Sequence, residues 1–202
     1  MGALGALLGV TIQSAKAPIC ECQTPKEREM LSKFALLGAA AIVGVGMPAS
    51  AAAGPTDPQI AHIAYTAGNI DIAAAKQALV KSHNASIRVF AQEMVRDHEA
   101  VNDKALALVK KLKVTPASNA TSEALSKQAE AAMKRLAGLS GTAFDRAYVE
   151  NEIGFHKTVN DALEATLIPS AHNAELKSLL QTGLTLFREH QTHAEHVAAG
   201  LK

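Results

Sequence analysis

Residues 87–112 read IRVFAQEMVRDHEAVNDKALALVKKL. Within them Ile87, Ala91, Met94, His98, Val101, Ala105, Leu108 and Leu112 recur in alternating steps of four and three. That mean step of about 3.5 residues is the seam of helices packed lengthwise, whereas a half-buried strand alternates every second residue. The stretch predicts a long helix with one buried stripe. Upstream, Thr56-Asp57-Pro58 offers a capping residue followed by proline in the first helical turn. Ile60, Ile63, Ala64, Ala67, Ile70, Ala74 and Ala78 follow at helical spacing, which predicts a helix ending near Ser82 and a short turn over His83 to Ser86. Downstream, VTPASNA over residues 114–120 reads as a loop, and Thr121 begins a shorter helix that runs to about Ala137 and ends in Gly138-Leu-Ser-Gly141.

Two further long helices follow. One opens at Thr142 and carries Val149, Glu152, His156, Val159 and Leu163 on its seam, with Tyr148 and Phe155 beside it, until Ile168-Pro169 stops it. The other starts between Ala171 and Asn173 and carries Leu176, Leu180, Gly183, Phe187, His190, Ala194, Val197 and Leu201. Two hairpins with short turns, joined by one long crossover that holds its own helical segment, predict an all-α, ferritin-like antiparallel four-helix bundle. A faint internal repeat agrees, because His98, Val101, Asn102 and Asp103 recur at the same spacing as His156, Val159, Asn160 and Asp161.

Composition supports helices and narrows the partners. The chain is 48% hydrophobic but only 3% aromatic, so it lacks the aromatic runs that strands use. A net charge of +1 with both signs interspersed leaves no basic stripe, which argues against nucleic acid as a partner. The sequence points to no particular protein partner. Residues 54–202 have the length of one domain with a continuous core.

The first fifty residues read differently. From Met30 to Ala53 the chain runs through Lys33, an apolar stretch from Phe34 to Met47, and then Pro48 and small residues. Those 14 apolar residues are fewer than the roughly 20 that span a bilayer, and Ala49-Ser50-Ala51 or Ala51-Ala52-Ala53 supplies a cleavage site. Residues 30–53 are thus expected to form a cleavable signal peptide, against the alternative of a retained membrane helix. A signal needs its charged end near the free amino terminus, so Met30 is the expected start and residues 1–29 an over-extended gene start. Cys20 and Cys22, alternatively a metal or redox pair, precede the signal, and no cysteine follows it to bridge, bind metal or accept a lipid. The expected location is the periplasm, as a soluble protein with no membrane segment after cleavage.

The seams carry one unusual feature. Each long helix places an ionisable residue where an aliphatic one belongs: Asp71, His98, Glu152 with His156, and His190. Asp71 and His98 lie at similar distances on either side of the first turn, and Glu152 and His190 on either side of the second, so antiparallel packing brings all five toward one layer. Carboxylate and imidazole groups from facing helices are the ligand set of metal centres in bundles. A di-iron centre needs Glu-x-x-His on two helices, but Val95 and Phe187 stand three residues before His98 and His190. A mononuclear zinc, copper or iron site fits better. The competing reading is a buried Asp–His and Glu–His hydrogen-bond network that sets helix register. His193 and His196 extend the pattern toward the end of the last helix, as cations at a helix C-terminus or as an accessory loading patch. Met94 reads as core packing.

The strings Phe90-Ala-Gln-Glu-Met94-Val-Arg-Asp97-His98, Phe144-Asp145-Arg-Ala-Tyr148, His156 and Leu186-Phe-Arg-Glu-His190 resemble a bacterial family of exported proteins. That family is catalogued as a domain of unknown function and often labelled "predicted outer membrane protein". The resemblance covers about residues 57–198 and implies a ferritin-like bundle. It also implies that His98, His156 and His190 occupy recurrent histidine positions, with Asp71 where a glutamate is usual and Phe155 where an aspartate is usual. No alternating strands of about ten residues occur to support a barrel. The expected function is a non-catalytic exported bundle that binds a transition metal in stress or metal homeostasis. The alternatives are a structural or protein-interaction module with a buried polar seam, and a ferritin-like metal-dependent redox enzyme.

Overall fold

The computed structural model describes residues 54–201. The expected gene start and signal peptide, residues 1–53, lie outside the described residues. Every regular element described is helical: α1 (Asp57–Lys81), α2 (Ala85–Leu112), α3 (Ala120–Ala137), α4 (Gly141–Ala162) and α5 (Ala174–Gly200). No helix among the described residues is long and apolar enough to cross a membrane.

Local chemistry sets each boundary. Thr56 and Gln59 form a capping box at the start of α1. Asn84, Asn119 and Asn173 each accept two backbone N–H bonds at the starts of α2, α3 and α5. The α2 helix therefore begins at Ala85, two residues inside the expected turn. It ends where Lys113 takes a left-handed conformation with φ 54°. The expected stop at Ile168-Pro169 is corrected. A π-helical turn over Leu163–Leu167 widens the ladder, with the Ile168 N–H donating to Leu163 O, and the helix runs on through Pro169 to Ser170. The shifted register carries the chain past a residue that could not have donated to an ordinary turn.

The four long helices adjoin in the cyclic order α1, α2, α5, α4, and α3 lies outside, mainly against α1. This explains a second correction. Ile70, expected in the seam, is only half-buried, because α1 turns a separate apolar face toward α3. Polar contacts tie the ends: the backbone N–H groups of His172 and Asn173 each donate to Asp57 at 2.9 Å, and Arg88 donates to Leu79 O and Ser82 O at 2.6 and 3.1 Å.

The core is layered. One end is filled by large side chains, including Phe90, Met94, Leu136, Phe144 and Tyr148, all fully buried. The other is aliphatic, built from Ile60, Ile63, Leu163, Leu167, Leu176 and Leu180, with Phe187 at its inner edge. Between them lie the ionisable residues of the seams.

Candidate metal centre

All five expected site residues are buried, none more than 3% exposed: Asp71 from α1, His98 from α2, Glu152 and His156 from α4, and His190 from α5. Asp71 and His98 face the interior at one height, with His98 Nε2 3.6 Å from Asp71 Oδ2. The three imidazoles form a triangle, with ring centroids 5.6 Å apart for His98–His156, 5.3 Å for His98–His190 and 5.5 Å for His156–His190. One ring nitrogen from each lies within 4.8 Å of the other two. A second set, Asp71, Glu152 and His156, meets the same criterion, so His156 belongs to both.

Hydrogen bonds decide which nitrogens are free. His156 Nδ1 lies 3.0 Å from the Glu152 carbonyl oxygen, which can only accept, so that nitrogen carries the proton. His190 Nε2 lies 3.1 Å from Asp97 Oδ2 and likewise donates. The opposite nitrogens, His156 Nε2 and His190 Nδ1, are buried without a partner, as are both nitrogens of His98. Asp71 Oδ1 and Glu152 Oε2 are also unpartnered. Buried polar atoms normally find a bond, and a concentration of orphans in one layer marks a place that a further group completes. The donor set is three neutral imidazoles and two carboxyl groups from four helices, which suits zinc, copper or iron.

The electrostatics agree with neutral imidazoles. Burial, reinforced by the neighbouring histidines, pushes His98 down to about 2, and burial pushes His156 down to about 4. His190 is lowered by burial against the opposing pull of Asp97. Burial raises Glu152 to about 7, and burial together with the charge of Glu152 lifts Asp71 well above the usual carboxylate range. Both carboxyl groups thus favour their protonated forms more than ordinary carboxylates do. The hydroxyl of Tyr148 is buried and unpartnered on the same helix face as Glu152, its pKa raised by burial and then by Glu152 and Asp71.

Several residues of the site were not expected from the seams. Asp97 and Glu93 stand one turn apart on α2, and Glu93 Oε2 accepts from His193 Nδ1 at 2.6 Å. Arg96 pairs with Asp97 at 2.7 and 2.9 Å, and this contact holds the Asp97 carboxyl below its usual range. His193 is therefore engaged across helices as well as lying near the end of α5. The signal for Asp97 was present, because it adjoins His98 and lies one turn from Glu93. Asn102 and Asn160, one turn beyond His98 and His156, are buried as well, donating to Asn69 and Gln191 at 3.1 Å each. Phe187 stacks on His98 with centroids 4.8 Å apart and planes at 11°, closing the aliphatic side of the layer.

No curated protein and no solved structure matches the chain. A family model described as "Domain of unknown function (DUF4142)" matches residues 45–197, a span that holds every residue of the site, and the chain belongs to that family.

Proposed function

We propose that this protein is an exported, periplasmic, ferritin-like bundle that holds one transition metal ion on His98, His156 and His190, with Asp71 and Glu152 supplying carboxylates. The observation that carries the reading is that His156 and His190 each hold one ring nitrogen in a hydrogen bond and leave the other buried without a partner, beside a His98 with neither nitrogen bonded. The bonds of His156 and His190, to a carbonyl and a carboxylate, are those that metal-ligating histidines use to fix their tautomers. A self-sufficient hydrogen-bond network would instead spend the inward nitrogens on one another or on the carboxyl groups. When bound, the ion supplies Lewis acidity or redox capacity, and the chain's part is to present neutral nitrogen ligands in a dry layer. The carboxylates of Asp71 and Glu152, once ionised, would compensate the charge of a divalent cation.

Metal analysis of the protein purified from the compartment where it accumulates tests this reading. One zinc, copper or iron ion per chain is expected, and His156→Ala should lose it while remaining helical. A metal-free wild type that gains no thermal stability from Zn²⁺, Cu²⁺ or Fe²⁺ would leave the structural module as the reading. Amino-terminal sequencing of the same preparation tests export, with a first residue between Ala52 and Gly54 expected.

A further inference from the structure

The aliphatic end of the bundle is hollow. A cavity of about 700 Å³ lies there, within the range of roughly 300–1,000 Å³ typical of small-molecule sites. The space is written into the sequence: Ala64 and Gly68 of α1, Ala105 of α2, Ala162 of α4 and Gly183 of α5 all line it, where a bundle core would take larger side chains. The opposite end, filled with aromatic rings, shows that the same four helices can be packed solid. Close packing is the rule for protein interiors, so a hollow of this size is a feature that needs an occupant.

The lining defines the chemistry of that occupant. Among the described residues no ionisable side chain borders the cavity, and Phe187, at its inner end, is the one aromatic residue that does. Nothing there neutralises a charge, and no second ring is present to sandwich a flat ligand. Asn102 lies near the inner end, and Gln59 and Thr121 lie toward the opposite one, where neutral polar groups can meet a hydroxyl or ester. Gly183 to Leu176, both lining residues, are seven residues apart on α5, a depth of about 10 Å at 1.5 Å per residue. Half-buried Val101, Ala105 and Leu108 of α2 mark a side open to solvent. We infer that the cavity binds the single aliphatic chain of an uncharged, medium-length lipid, such as a fatty alcohol or acyl ester, tail inward against Phe187. The inference is independent of the metal reading.

The test uses 1-decanol and decanoate as probes, titrated calorimetrically at pH 8 into the exported protein as the cell processes it. Saturable binding of one decanol per chain is expected, with decanoate at least tenfold weaker. Ala105→Leu and Ala64→Leu each fill the cavity from a different helix, with little change in helix propensity, and each should weaken decanol binding at least tenfold at unchanged helicity. Native mass spectrometry should show the one-to-one adduct in the wild type and lose it in the variant that folds. Absence of saturable decanol binding, equal affinity for decanoate, or wild-type affinity in the filled variants would overturn the inference.

Discussion

Replacing His98 with leucine should make the metal-free protein no less stable while abolishing its response to metal. Both ring nitrogens of His98 are buried and unpartnered, and an unsatisfied buried polar group costs about 1–3 kcal/mol. His98→Leu removes that cost and keeps an aliphatic side chain against Phe187, so the expected change runs from zero to a gain of about 3 kcal/mol. At roughly 2–4 °C per kcal/mol for a domain of this size, the upper end is a rise of about 6–12 °C. His98→Ala, which leaves a hole as well, should be destabilised by about 1–3 kcal/mol net of the same relief. Metal at a hundred times its Kd should add about 2.7 kcal/mol to the wild type and nothing to either variant. The gap therefore moves by about 2.7 kcal/mol toward wild type between EDTA and zinc, with leucine at or above wild type in EDTA. Urea unfolding followed by circular dichroism at pH 7 reads both series. A loss beyond about 2 kcal/mol for His98→Leu in EDTA would refute the argument, since it would mean that the imidazole is satisfied within the fold.

Four other outcomes are expected. Burial holds His156 at about 4 against 6.5 for an ordinary histidine, so the stability it contributes is complete above pH 6.5 and is lost as pH falls toward 4. Glu152 runs the other way. Held up at about 7 against 4.5, its contribution is complete below pH 4.5 and is lost as pH rises to 7, so Glu152→Gln should exceed wild type at pH 8 and match it at pH 4.5 in metal-free urea titrations. Asp97→Asn, which weakens the carboxylate behind His190, should lower metal affinity about 10–100-fold with helicity retained, and unchanged affinity in a competition titration would remove Asp97 from the site. In Gly68→Ala the new Cβ would stand 2.4 Å from Asn102 Oδ1 and force Asn102 off Asn69. Despite a helix-propensity gain of about 1 kcal/mol, the variant should melt below wild type, and a higher melting temperature would show that Asn102 moves without cost.

The helices and the layer were legible because both follow from one periodicity. Once Ile87, Ala91 and Met94 fix a stripe on α2, His98 is committed to the interior, and the same holds for His190 between Phe187 and Ala194. The residues behind the ligands were less legible. Asp97 is one position off the stripe, and its role exists only because α5 packs close enough to bring His190 Nε2 within 3.1 Å. Interhelical rotation of that kind is not written in the spacing of either helix. The packing of α3 was hidden for a similar reason, since only Ser122 and Leu136 of that helix are fully buried and its spacing shows a helical segment of the crossover but no partner. Pro169 misled because a proline normally ends a helix, and the wide turn before it depends on tertiary packing of Leu163 and Leu167.

The division of the core also sets a clock. Interlocked rings resist opening, whereas helix ends around an unfilled space share few contacts, so amides of the hollow end should exchange with solvent sooner than those around Phe90 and Tyr148. If that end frays first, a group held in the middle layer should exchange at the rate of this partial opening rather than of unfolding. The ring-packed end should then keep the four helices in register while the other end opens.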